Sequence, residues 1–435
     1  MKIIIEIVFI MACLVNGIYF LWISILWAFP RVLHTEKDYV PSDSDFDHSH
    51  IFLIIPCMNE ENVCEATISN ILNMNIPNLR ILAVDDASED RTLEILKSFH
   101  DDRLLIIERK KPNAQQGKGR SLNNAYKYIV DYVKENNLKP SEVIVGVFDA
   151  DTFIQKTLLQ KVARIMTDEP NCAMLQARVR IGTSTRDHIL PLMQDIEFFT
   201  CINLMQNVRE YTGTVGAAGN GQFSRLTAMM DLGDEPWSDC LLEDFDFSLR
   251  LLLKGWRTRL IQDERVYQQG VTDYKKFVKQ RTRWAQGGLQ CIKYFWQIVK
   301  SKHISFSGKV ELCFFLVIPF VGLMSLFVLL FCWFLTLFMS APSGMAEIIS
   351  EFSLLEDIVL TLIVLVCIYT PGTVFSILYR KDTEIGILNA LLAAVFMPIY
   401  NMMQIPASIT AIVRQILGIK GWVKTSHKKD EGVTA

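Results

Sequence analysis

Between residues 50 and 170 the chain alternates short apolar runs with amphipathic stretches. HIFLIIP, at 50–56, is followed by EENVCEATISNILNMN, whose apolar residues recur at helical spacing. LRILAVDDAS repeats the scheme: an apolar strand, then Asp85, Asp86 and Ser88 at its end, then the helix-like DRTLEILKSF. RLLIIE reads as a third strand, GRSLNNAYKYIVDYVKEN as a helix and VIVGVFDAD as a fourth strand. Strands alternating with helices of this length predict an α/β fold with a parallel sheet covered on both faces. Asp85 and Asp86 then share one sheet edge with Asp149 and Asp151, the edge where open α/β sheets bind ligands.

A second pattern flanks the first. Apolar blocks run over 3–27, 310–339, 358–378 and 385–413, the last interrupted by Asn389, Pro398, Asn401, Gln404 and Pro406. At about 1.5 Å per residue each is long enough to cross a hydrocarbon core of about 30 Å. The expected organisation is a transmembrane anchor at 1–30 and a cytoplasmic domain at 31–288. An interfacial linker at 289–309, a membrane region at 310–415 and a basic tail at 416–435 complete it. The first block lacks a small-residue cleavage pattern and reads as a retained anchor. Arg31, His34 and Lys37 after it place the following segment in the cytoplasm, on the inner side of a multi-pass cell-membrane protein. Glu347, Glu351, Glu356 and Asp357, with no Lys or Arg among them, suit the outside, and Arg380 with Lys381 the inside. Whether the fourth block spans the bilayer or re-enters it stays open.

Composition narrows the class. Hydrophobic residues make up 50% of 435, high for a soluble protein, and a net charge of −3 leaves no footprint for nucleic acid. The ten cysteines include no C-x-x-C pair, which argues for a reducing cytoplasm and against a zinc site or disulfide framework.

Asp149 and Asp151 admit two readings: a functional pair at a strand end, or a cap of the helix in QKTLLQKVARIM supplied by Asp151 or Thr152. Four acids gathered on one edge repel one another unless a cation offsets them, and a divalent ion such as magnesium or manganese bridging a diphosphate is the economical partner. Exposed loop acids remain an alternative for Asp86, Glu89 and Asp90. QQGKGRS places Lys118 and Arg120 beside flexible glycines at a helix start, suited to diphosphate charge or to a plain turn. GAAGNGQFSR, at 216–225, admits close approach of a ligand or a tight turn. In CLLEDFDFSLRLLLKGW the acids Glu243, Asp244 and Asp246 open a helix, serving its dipole or, for Asp244, acting as a general base. In KKFVKQRTRWAQGG, Gln280, Arg283 and Trp284 share one helix face, and Gly287 with Gly288 continues it as open room. An indole suits the C–H face of a sugar and a guanidinium suits phosphate oxygens; the plain alternative is a Trp packing under a membrane-surface helix.

VDDASED, DAD, LED and QRTRW, in this order between apolar blocks, resemble the processive family 2 membrane glycosyltransferases: cellulose, chitin, hyaluronan, β-glucan and poly-N-acetylglucosamine synthases. The resemblance implies a GT-A-type, Rossmann-like nucleotide-sugar domain embedded between transmembrane α-helices. It also implies a UDP-sugar donor, glucose or N-acetylglucosamine, a divalent cation and inverting transfer to a growing, exported polysaccharide in the lipid bilayer. By position, Asp85 resembles the uridine-contacting acid, Asp149 the acid near the nucleotide sugar and Asp151 the metal ligand, with Asp149 beside it. Asp244 resembles the catalytic base, Gln280 and Arg283 the diphosphate and acceptor contacts, and Trp284 the acceptor platform. Leu242 stands where the family commonly has Thr and Ala87 where it commonly has Gly, and the G-D-D-R element of hyaluronan and chitin synthases is missing. The alternative is a non-processive enzyme acting on a polyprenyl phosphate or another lipid.

Overall fold

The computed structural model describes residues 40–182, 188–339, 354–383, 385–419 and 421, with scattered positions between 7 and 25. The charge patterns at Arg31, His34 and Lys37, at Glu347 and Glu351, and in the tail after Gly421 lie outside the described residues. The chain divides into two compact units, Met1–Pro30 with Phe314–Pro406, and Arg31–Cys313 with Ala407–Ala435.

The larger unit opens with β1 (His50–Cys57), α1 (Cys64–Leu72), β2 (Leu79–Asp85), α2 (Thr92–Ser98), β3 (Leu104–Glu108), α3 (Lys118–Glu135), β4 (Val143–Val147), α4 (Lys156–Asp168) and β5 (Cys172–Ile181). Alternation along β1 divides the core. Ile51, Leu53 and Ile55 pack with Ile68 and Ile71 of α1 and Leu158, Leu159 and Val162 of α4. Phe52 and Ile54 face the other way, toward Leu122, Tyr126 and Ile129 of α3. Each such buried side chain contributes about 1.5–3 kcal/mol, so two filled faces fix the register of the central strands.

There follow α5 (Ile189–Phe198), a π-helical segment Phe199–Leu204, α6 (Met205–Thr212), β6 (Gln222–Arg225), α7 (Leu226–Asp231), α8 (Glu243–Leu253), β7 (Arg257–Gln268), α9 (Tyr274–Cys291) and α10 (Phe295–Lys300). The seven strands form one sheet in the order β3-β2-β1-β4-β6-β5-β7. The sheet is mixed rather than parallel throughout, because β6 runs antiparallel to β4 and β5. The reason is where the glycine-dense segment delivers the chain: Gln222, the first residue of β6, pairs with Val147, the last of β4, so β6 begins at the carboxyl edge and runs back.

Farther on lie α11 (Phe306–Met339, 34 residues), α12 (Leu354–Thr383, 30 residues), α13 (Ile387–Met403) and α14 (Ile405–Ile416). Among the described residues, one stretch, Ile387–Ile416, is long and apolar enough to cross a membrane. It is built from α13 and α14, which meet at Gln404. From Ala407 onward the chain belongs to the unit that carries the sheet. There Arg414 Nε donates to Gln286 Oε1 at 2.9 Å, and Gln286 Nε2 donates to the Ile419 carbonyl at 2.7 Å.

Just past β2, Ala87 sits at φ +57°. Its Cβ makes that left-handed backbone cost roughly 1 kcal/mol where glycine is at ease. Ala87→Gly is expected to raise the unfolding free energy by about 0.5 kcal/mol, since glycine's looser unfolded chain returns part of the gain. The melting temperature of the detergent-solubilised protein checks this, and a lower value would show that the strain is not felt.

Candidate active site

The acids of the sheet edge owe their place to strand order. Asp85 ends β2 opposite Cys57 of β1, and β4, on the other side of β1, leads directly into Asp149 and Asp151. The capping reading of that loop does not hold. The cap of α4 is Gln155, with no side-chain capping bond. Asp151 Oδ2 instead accepts from the Gln269 backbone N–H at 2.9 Å, and Thr152 Oγ1 donates to Asn220 Oδ1 at 3.0 Å. The same Asn220 oxygen takes the Asp149 N–H at 3.4 Å.

Lys118, at the start of α3, reaches across this edge and donates to Asp149 Oδ1 at 2.5 Å. Behind it lies Gly219, at φ +77°; a Cβ there would sit 2.8 Å from Asp244 Oδ2 and 3.8 Å from Lys118 Nζ. Glycine thus leaves room for Asp244, on the first turn of α8, to lie within electrostatic reach of the same ammonium group. Burial pushes the Asp244 carboxyl up to about 7 and the Glu243 charge adds to the rise. The Phe245 N–H, Lys118 and Arg283 pull back. For Lys118 burial acts downward, but Asp149, Glu243 and Asp244 outweigh it and hold the ammonium above its ordinary value.

The neighbouring acids divide by role. Asp246 is structural: it accepts from Arg250 Nε at 2.9 Å, Lys293 Nζ at 2.9 Å and Tyr294 Oη at 3.0 Å. Asp86 is buried and paired with Arg109, not an exposed loop acid; burial raises its pKa, against the Gln115 backbone N–H and Arg109. Glu89 is exposed, facing Lys111, and Asp90 accepts from Thr92 and the Glu61 N–H to set the turn. Asp85 takes the Ser88 N–H on Oδ2 at 3.3 Å, while its buried Oδ1 has no hydrogen-bond partner among the described residues. The hard carboxylate oxygens of Asp149 and Asp151 fit a divalent cation of the magnesium or manganese kind. Asp149 commits Oδ1 to the Lys118 ammonium, and Asp151 commits Oδ2 to a backbone N–H.

The helix that carries QRTRW is α9, capped by Asp273, whose side chain accepts from the Lys276 N–H at 2.9 Å. Trp284 packs against Val179, Ile181 and Phe198, with 5.9 Å between the Phe198 and Trp284 ring centroids. The Arg281 guanidinium lies 4.1 Å from the Trp284 ring centroid, donates to Gln280 Oε1 at 2.7 Å and pairs with Glu197. Gln280 and Trp284 are therefore grouped around Arg281, while Arg283 acts on Asp244 through its charge. The expected open room at Gly287 is absent. That residue is buried against the start of α8, and a Cβ would fall 2.5 Å from the Leu242 nitrogen.

A family model for glycosyl transferase family group 2 matches residues 144–375, more than half of the chain, and one for glycosyl transferase family 2 matches residues 52–231. The chain is a family 2 glycosyltransferase. Among its relatives, a beta-monoglucosyldiacylglycerol synthase of Synechocystis sp. is 28% identical over 302 residues, 67% of this chain and 57% of the relative. A poly-beta-1,6-N-acetyl-D-glucosamine synthase of Staphylococcus aureus is 25% identical over 291 residues, 66% of each chain. The glycosyltransferase thus spans less than two thirds of either relative's length. A mannosyltransferase from Pyrobaculum calidifontis, solved with GDP-Man and Mn2+, superposes with a TM-score of 0.60 at 17% identity, covering 95% of this chain and 99% of that one. That likeness shows the GT-A-like fold.

Two residues of this glycosyltransferase site escaped the sequence. Asn220 braces the D-x-D loop but is written as one polar letter among glycines, and Arg281 occupies a spacer position of the Q-x-x-R-W pattern. Asn220 Nδ2 also donates to Gln268 Oε1 at 2.9 Å, so Asn220→Ala strands several buried polar groups. We expect a loss of about 1–3 kcal/mol in stability and weaker nucleotide-sugar binding, read by thermal unfolding and calorimetry. Unchanged values in both would show that the loop holds itself.

Proposed function

We propose that this glycosyltransferase is a membrane-embedded, inverting enzyme that moves glucose or N-acetylglucosamine from a UDP-sugar onto a growing polysaccharide, with its catalytic unit on the cytoplasmic side. The observation that carries this reading is the Asp244 carboxyl, with its pKa near 7, lying beside Lys118 and Asp149 at the carboxyl edge of the sheet. An oxygen base tuned close to the working pH is what deprotonation of an acceptor hydroxyl requires.

In this mechanism Asp244 takes the proton of the acceptor hydroxyl as its oxygen attacks the anomeric carbon from the face opposite the diphosphate. The bond to UDP breaks in the same displacement, so an α-linked donor gives a β-linked product. Lys118 and Arg283 place two cations where the leaving diphosphate gathers charge. Asp85, with one carboxylate oxygen lacking a partner, is assigned to the uridine. Asp151, with Asp149, would hold a divalent cation, which when bound adds positive charge to the diphosphate. Gln280 and Trp284 face the acceptor. Support for membrane embedding comes from the stretch Ile387–Ile416, long and apolar enough to cross a bilayer.

A second reading, transfer of one sugar to a lipid hydroxyl, is favoured by one specific observation. Trp284 is already covered by Arg281 and packed on Phe198, as a structural indole would be. The relatives' names divide in the same way, between a glucosyl lipid and a polymer.

Asp244→Asn is expected to abolish transfer while leaving UDP affinity nearly intact; equal loss of both would remove its role as base. The wild-type rate should rise with pH through about 7, because the working form is the deprotonated one. A flat profile from pH 5 to 8 (about the range that tests such a group) would contradict the assignment. Incubating membranes with labelled UDP-sugars and sizing the product separates the two acceptors. Trp284→Ala should shorten a polymer while sparing donor hydrolysis, and unchanged polymer length would refute the platform.

A further inference from the structure

The acceptor helix and the base-bearing helix meet at a pair of thiols that the proposed chemistry does not use. Cys240 and Cys291 are 51 residues apart in sequence, yet their sulfurs lie 3.8 Å from each other. Cys240 is half-buried in the loop before α8, four positions ahead of Asp244; Cys291, the last residue of α9, is buried. No C-x-x-C spacing announces them, because α8, β7 and most of α9 intervene.

Asp246 completes a cluster that could hold a soft metal, its carboxylate within 4.8 Å of both sulfurs. That carboxylate is fully engaged, however, by Arg250, Lys293 and Tyr294, two of them cations that oppose a metal ion. What the pair offers is thiol chemistry. We propose that Cys240 and Cys291 form an oxidisable dithiol, a modification site for peroxide, whose disulfide holds the base-bearing loop out of its working position.

Cys240 is the sulfur that reacts first. It is the more accessible of the two, the Leu242 N–H points at it from 3.5 Å, and the charge of Lys293 is felt there. The reacting form of a thiol is its thiolate. The thiolate attacks one peroxide oxygen, giving a sulfenic acid and hydroxide, which becomes water with the released proton. The Cys291 sulfur then attacks the Cys240 sulfur, and the S–O bond breaks to release a second water that carries the Cys291 proton. Two thiols have lost two electrons, and one peroxide has become two waters.

The consequence follows from the packing. A disulfide is about 2.05 Å long, so the sulfurs must close most of the present gap. Leu242 already touches Gly287 of α9, where a Cβ would sit 2.5 Å from the Leu242 nitrogen, and the Leu241 N–H donates to Gln290 Oε1 at 2.8 Å. With no slack on that side, the loop tilts and takes Glu243 and Asp244 with it. Displacing a reacting group by about 1 Å costs on the order of a hundredfold in rate. This last step rests on the reading of Asp244 as base; the formation of the disulfide does not.

The test treats the detergent-solubilised full chain with hydrogen peroxide, quenches with an alkylating agent and maps peptides by mass spectrometry. The expected result is a peptide pair linked through Cys240 and Cys291, lighter by about 2 Da than its two thiols and absent from Cys240→Ser and Cys291→Ala. Absence of that linkage overturns the proposal. UDP-sugar transfer should fall about tenfold or more with formation of the linkage, recover with dithiothreitol, and resist peroxide in both variants. Linkage without loss of transfer, or equal loss in Cys240→Ser, overturns the switch. If the reduced wild-type protein transfers no sugar at all, the proposed function fails, and the peptide map still decides the dithiol.

Discussion

The structure turns on where it puts negative charge. Parallel strands on both sides of β1 bring Asp85, Asp149 and Asp151 to one edge, and α8 adds Glu243 and Asp244. Two unit charges about 4 Å apart interact by roughly 4 kcal/mol at the effective dielectric of a protein surface, comparable with a whole domain's margin of stability. Lys118 is the group that makes the arrangement tolerable. Buried, it nonetheless keeps its proton because three acids surround it. It comes from the first turn of α3 and pairs with Asp149 of the β4 loop, while the charges of Glu243 and Asp244 on α8 act on it as well.

That constraint explains why the acids differ in character. Asp149 is in direct contact with the ammonium, whereas burial and the neighbouring Glu243 charge push the Asp244 carboxyl up to about 7. Environments that push neighbouring acids apart assign them to different tasks. Lys118 is among the charges that lower the Asp244 carboxyl, so drawing its charge away would raise the proton affinity of that group.

Much of the fold was legible because the sequence writes it in periodicity: β1 to β4 alternate with helices where the apolar runs change period. The reversal of β6 was not, since a four-residue strand carries no period of its own and its direction depends on where a glycine-dense loop delivers it. The candidate site was legible as a set of residue types at strand ends and on one helix. What joins them was hidden. Asn220 and Arg281 act through partners 71 and 84 positions away, and Gly287 reads as open room until the α8 loop is seen filling it. Side-chain spacing reports neighbours on one element and is silent on neighbours across elements.

Arg281 bears directly on what the acceptor helix can do. A buried arginine is tolerable only when its charge is met and its hydrogen bonds are satisfied. Glu197 of α5 meets that charge, Gln280 takes one N–H, and the flat face of the guanidinium lies on the Trp284 indole. Glu197 stands two residues before the π-helical segment at Phe199, where the widened turn changes which residues α5 and α6 present. Gln280 and Trp284 are thus oriented from α5, through an ion pair, rather than by helix geometry alone. Loss of the ion pair would therefore free the Trp284 indole and the Gln280 amide together, which makes Arg281, more than the tryptophan itself, the residue that fixes this face of α9.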